Sequence, residues 1–99
     1  MKRPVTVRIE LAHALAERAG GAEVVEVEAR TAGEALAALT ARHPALAALV
    51  WRAGTFNDQL VLFVGRDDVR RLQGLETPLR PGDRLMLITA VEGGGAAAR

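Results

Sequence analysis

The sequence has no cysteine, which excludes disulfides, zinc–thiolate sites, iron–sulfur clusters and a thiol nucleophile. Aromatic residues make up 3% of the chain, one tryptophan and two phenylalanines, too few for the stacking surfaces of a nucleic-acid binder. A basic stripe is missing too: 13 basic residues against 12 acidic ones leave a formal charge of +1, and the two signs alternate along the chain. No nucleic-acid partner is expected. Lys2 is the one lysine, so a single side chain is left for amine chemistry. Arg, Glu, His or Gly interrupts every apolar run well short of the roughly 18 residues of a membrane span, and MKRPVTVRIE has no apolar stretch like that of a signal peptide. The expectation is a cytoplasmic protein with no membrane segment.

What remains is a small, aliphatic chain of 99 residues, 49% hydrophobic. Nineteen of those apolar residues are alanine, leaving 30 larger side chains, enough for one compact core and not for two. Val5, Val7 and Ile9 alternate with Thr6, Arg8 and Glu10, the period of a half-buried strand. Leu11 to Ala19 reads as a short helical or irregular connection that stops at Gly20 and Gly21. Val25 and Val27, set among Glu23, Glu26 and Glu28, suggest a second strand with one wet face.

Thr31 followed by Glu34 is a capping-box signature, and Ala32, Ala35, Leu36 and Leu39 recur at helical spacing behind it. The helix should end at Arg42-His43-Pro44, because proline disfavours helix in the residue before it. Pro44 can then open another turn, with Leu46, Leu49 and Val50 as its apolar side. Trp51 to Gln59 reads as a loop, Leu60 to Val64 as a strand, Gly65 to Asp68 as a turn, and Val69 as the start of a short returning strand. Pro81-Gly82-Asp83 is a tight turn before the last strand, Arg84 to Thr89. The order β, β, α, β, short β, β suits an α+β sandwich, one mixed sheet on one principal helix.

Both parities of the two late strands are apolar: Leu60, Leu62 and Val64 against Val61 and Phe63, and Leu85 and Leu87 against Met86 and Ile88. One helix covers one face only. Phe63, Met86 and Ile88 are therefore either extra core, covered by the loop around Trp51, or a patch that meets a partner. No constellation of catalytic or metal-ligating residues stands out: His13 and His43 are isolated, and Arg66, Arg70, Arg71, Arg80 and Arg84 are interleaved with Asp67, Asp68, Glu76 and Asp83 as on a solvated face.

The chain ends Ala90-Val91-Glu92-Gly93-Gly94-Gly95-Ala96-Ala97-Ala98-Arg99. Three glycines are costly to order, so the expectation is a folded domain over residues 1–91 and a flexible tail over residues 92–99. Such a tail is a frayed terminus, or a strand without side chains that threads a narrow channel and presents a glycine carboxylate.

The stretch from Val64 to Gly94, with Asp68-Val69-Arg70, Gly74-Leu75, Thr77-Pro78-Leu79, Gly82-Asp83 and Gly93-Gly94 in order, resembles the C-terminal half of the ubiquitin-like sulfur carriers of the MoaD/ThiS type. The molybdopterin-synthase small subunit and the cysteine-biosynthesis carriers are the most similar branches, and the likeness extends over residues 5–94. The resemblance implies a β-grasp fold and a carrier that is not itself an enzyme and binds no cofactor. An ATP-dependent, ubiquitin-activating-like adenylyltransferase activates the terminal glycine carboxylate, sulfur displaces AMP, and the thiocarboxylate serves a sulfur-acceptor biosynthetic enzyme. Sulfur is thus carried on a carboxyl group, in keeping with a chain that lacks cysteine. The site is then Gly93, Gly94 and Gly95, and Phe63, Met86 and Ile88 are the surface for the activating enzyme. The glycines are not terminal here, so trimming by a metallopeptidase is implied, with Gly94 as the mature end and Gly95 the alternative. A ubiquitin-like modifier and an unprocessed β-grasp binding module are the other readings.

Overall fold

Strand β1 (Val5–Leu11) turns Val7, Ile9 and Leu11 into the core and Thr6 and Arg8 outward, as its alternation predicts. It pairs antiparallel with β2 (Val24–Ala29), Val7 opposite Val27 and Ile9 opposite Val25. A six-residue helix, α1 (His13–Arg18), fills the connection and buries Leu15 and Ala16. In this computed structural model residues 3–90 are described, so the expected tail, with Gly93, Gly94 and Gly95, lies outside the described residues.

The main helix, α2 (Ala32–Arg42), starts at Thr31, whose Oγ1 accepts from the Glu34 N–H at 3.2 Å. Glu34 does reach back, but one residue further than a reciprocal box: its Oε1 accepts from the Arg30 N–H at 2.9 Å. The Arg30 guanidinium also pairs with the Glu34 carboxylate, at 2.9 Å, and this fork draws the carboxylate toward Arg30. Ala32, Ala35, Leu36 and Leu39 of α2 belong to one fully buried cluster with Leu62, Leu85 and Leu87. As expected, His43 is non-helical and Pro44 is the first residue of α3 (Pro44–Val50).

Trp51 to Gln59 is more ordered than the expected loop. It holds a small hairpin, β3 (Trp51–Arg52) and β4 (Thr55–Phe56), turned by Ala53 and Gly54, both at positive φ, as a primed two-residue turn requires. The Trp51 indole N–H donates to Thr40 Oγ1 at 3.2 Å, and Thr40 in turn donates to the Leu36 carbonyl at 3.0 Å. The hairpin is therefore fastened to the helix layer.

Strand β5 (Leu60–Val64) pairs antiparallel with β7 (Arg84–Thr89), and β7 pairs in parallel with β1. The returning strand is β6 (Asp67–Asp68), two residues earlier than expected. Val69 instead opens a 3₁₀ turn over Val69–Arg71, because the Asp68 carboxylate accepts from the Arg70 N–H at 2.9 Å and caps it. The sheet has five strands in the order β2-β1-β7-β5-β6, with first and last strands side by side at its centre. The helices pack on one face of it.

Candidate functional site: the open sheet face and the root of the tail

Paired residues in neighbouring strands point to the same side of a sheet. Val24, Glu10, Met86, Phe63 and Asp68 therefore form one row across all five strands on the side away from α2. Ile88 and Val61 form a second row, one step nearer the end of β7. Phe63, Met86 and Ile88, singled out from the sequence, are thus direct or diagonal neighbours on one open face. Met86 is 41% and Val24 52% exposed, while Phe63, Ile88 and Val61 are half-buried. The Trp51 hairpin, tied to the helix layer through Thr40, does not cover them.

Val24 and Val61 are patch residues that the sequence argument left out. Val61 shares the parity of Phe63. The outward parity of Glu26 and Glu28 puts Val24 on the wet side of β2, and the register through Glu10 joins it to the patch. Toward the start of β7 the same face turns ionic: Arg84 donates to Glu10 at 2.8 Å, and Arg8 stands 3.7 Å from Glu26. The apolar part of the face thus lies at the end of β7 from which the tail leaves. At that end the Ala90 N–H donates to the Gln59 carbonyl at 2.7 Å, continuing the β5–β7 ladder one step past Thr89.

The two histidines stand apart from this face. His13 pairs on α1 with Glu17 at 3.2 Å in an exposed (i, i+4) contact, and His43 sits at the junction of α2 and α3. The Arg30 guanidinium, hydrogen-bonded to Glu34, holds the Glu34 carboxyl below its ordinary value, a feature of the start of α2.

A model of the ThiS family matches residues 9–94. The chain belongs to the ThiS family. Among solved structures, it is similar to small archaeal modifier protein 1 from Haloferax volcanii, with 31% identity and a TM-score of 0.79, covering 90% of this chain and 99% of that one. It is also similar to a chain of the BexX/CysO complex from Amycolatopsis orientalis, with 28% identity, a TM-score of 0.80, and 89% and 99% coverage. Small archaeal modifier protein 1 from Methanosarcina acetivorans superposes at a TM-score of 0.85 over 94% of this chain and 100% of that one, at 24% identity, which speaks for the fold. No curated protein sequence matches the chain. The fold is the β-grasp of ubiquitin-like proteins, and the relatives are small ubiquitin-like carriers and modifiers. Among the described residues no helix is long and apolar enough to cross a membrane.

Proposed function

We propose that this protein is a sulfur carrier whose Gly94, freed by hydrolysis of the Gly94–Gly95 bond, is activated and thiolated by partner enzymes. The observation that carries the reading is that the ThiS-family match runs from Ile9 in β1 through the rest of the fold and stops at Gly94, the second of three consecutive glycines. A metallopeptidase removes the residues that follow Gly94. The free carboxylate oxygen then attacks the α-phosphorus of ATP on a ubiquitin-activating-like adenylyltransferase, and pyrophosphate leaves. Activation is needed because oxide is a poor leaving group from a carboxylate, whereas AMP leaves readily from the mixed anhydride. A sulfide-level donor attacks the acyl carbon, AMP departs, and the thiocarboxylate passes its sulfur to an acceptor enzyme. ATP is consumed on the partner, and the carrier supplies no acid, base or metal.

In this reading Phe63, Met86 and Ile88, with Val24 and Val61, meet the activating enzyme. An open apolar face beside the root of the tail supports it, because docking there brings the carboxylate to the same partner. Intact-protein mass spectrometry tests the function. With ATP, the cognate activating enzyme and a sulfur donor, a chain ending at Gly94 gains the mass of one oxygen-to-sulfur replacement, and the 99-residue chain does not. Equal modification of both refutes trimming; modification of neither the Gly94 nor the Gly95 form refutes the carrier role. The 31% identity to a protein described as an archaeal modifier supports a second use of the same carboxylate, as an isopeptide donor to lysines of other proteins. Adducts of that linkage in host extract are its signature.

A further inference from the structure

Ala90 is held by a turn that is itself gripped from two sides. The peptide unit between Asp58 and Gln59 has both of its polar groups engaged: its N–H donates to Asn57 Oδ1 at 2.9 Å and its carbonyl accepts from Arg70 Nη2 at 3.3 Å. In the next unit, the Leu60 N–H donates to the Asn57 carbonyl at 3.0 Å, and the Gln59 carbonyl is the acceptor for Ala90. Arg70 Nη2 also donates to the Leu60 carbonyl at 2.8 Å. Asn57 is 4% exposed and uses its remaining side-chain group as well, Nδ2 donating to the Leu49 carbonyl at 2.8 Å. Its own N–H donates to the Val50 carbonyl at 2.8 Å. The turn is thus tied to the end of α3 through Asn57 and to the far edge of β5 through Arg70.

Arg70 reaches that edge because β6 covers only Phe63 and Val64 of β5, which leaves the Leu60 carbonyl without a strand partner on that side. The Asp68 cap bends the chain into a 3₁₀ turn and returns the guanidinium to the gap. An extended residue spans at most about 3.6 Å, so Gly94, four residues beyond Ala90, lies within about 14 Å of the root. On so short a tether the position of the root decides which points the carboxylate reaches, and a root that frays lowers its effective concentration at a fixed catalytic centre.

We propose that Arg70 and Asn57 are positioning residues that hold the 57–60 turn and, through the Gln59–Ala90 hydrogen bond, fix the root of the tail for activation. The role in activation rests on the carrier reading above, whereas the clamp itself does not. Amide hydrogen exchange in the full-length chain tests the clamp. Arg70→Ala raises the Ala90 exchange rate at least tenfold, while the Leu39 amide in α2 stays within twofold; Arg70→Lys, which keeps one donor for the Leu60 carbonyl, recovers part of the protection. Asn57→Ala has the same effect on Ala90, and should it fail to fold, the arginine variants decide alone. Unchanged Ala90 exchange in Arg70→Ala overturns the clamp.

For activation, pyrophosphate exchange with the Gly94-ending form separates positioning from docking. Arg70→Ala lowers kcat about tenfold with KM within twofold, because the face that docks is intact and only the placement of the carboxylate has loosened. Faster Ala90 exchange with an unchanged kcat, or a raised KM with kcat unchanged, overturns the positioning role. If the unsubstituted Gly94-ending form is not adenylated, the carrier reading falls and takes the role in activation with it; the exchange result still stands for or against the clamp.

Discussion

Met86 and Leu87 are consecutive in β7 and point to opposite sides of the sheet, which makes them a matched pair for testing what the open face does. Leu87 is fully buried and Met86 is 41% exposed. Truncating a buried leucine costs about 2–5 kcal/mol, and each kcal/mol moves the midpoint of a domain this size by roughly 4–8 °C. Leu87→Ala should therefore lose at least about 8 °C in a thermal melt. Met86→Lys replaces an exposed side chain opposite Glu10, where the new ammonium meets a carboxylate, so stability should change by no more than about 0.5 kcal/mol.

Binding should rank the two variants the other way. Burying a methionine is worth roughly 1.5–3 kcal/mol, and the two-fifths of Met86 still open in the free protein accounts for about 1 kcal/mol of that. Placing an ammonium in an apolar contact adds a desolvation cost of similar or greater size. Together these weaken the complex with the activating enzyme by about 10- to 100-fold, read as the Kd from titration calorimetry at a temperature where both variants are folded. Equal loss of thermal stability in both variants shows that Met86 is core. An unchanged Kd for Met86→Lys shows that this face is not the contact surface.

Thr31→Ala removes the acceptor for the Glu34 N–H and should cost about 1 kcal/mol, measured as a drop of roughly 4–8 °C in midpoint. The Glu34 carboxyl, held low chiefly by its hydrogen bonds from the Arg30 side chain and backbone, should titrate below the ordinary glutamate value of about 4.3 when followed by carbon NMR. Its folded value lies under its unfolded one. The stabilisation it gives is thus complete above the unfolded value and is lost as pH falls through the folded value. Arg30→Ala should move the midpoint part of the way back, since the backbone N–H at position 30 still donates.

The elements written in short-range chemistry were the legible ones. The Thr31 cap, the stop before Pro44 and the alternation of β1 and β2 are each decided within a few residues. The β3–β4 hairpin was hidden because Ala53 takes a positive φ of 51°, where asparagine or aspartate is the usual signal. The 67–71 segment was shifted because a two-residue strand followed by an Asp68-capped turn carries no period to read. On the site, parity exposed Phe63, Met86 and Ile88, whereas placing Val24 in the same patch needed the register of Glu10 between β2 and β7. Arg70 was visible as one charge among several and as part of the Asp68-Val69-Arg70 stretch, without a contact to assign to it. Its partners are backbone carbonyls ten and twelve residues away, and carbonyls leave no mark on a sequence.

The strand that carries the tail is also the strand that closes the centre of the sheet. Ile9 pairs with Leu85 and Leu11 with Leu87, so the middle of the sheet forms only after β7, more than seventy residues beyond β1, has been synthesised. Contacts this distant in sequence slow folding. A chain cut short before β7 lacks both its central strand and Gly93, Gly94 and Gly95, while a chain with a damaged core loses the pairing that anchors Ala90. Formation of the central strand and anchoring of Ala90 are thereby one condition, so in the carrier reading proposed above an activating enzyme that grips β7 would leave unfinished copies alone.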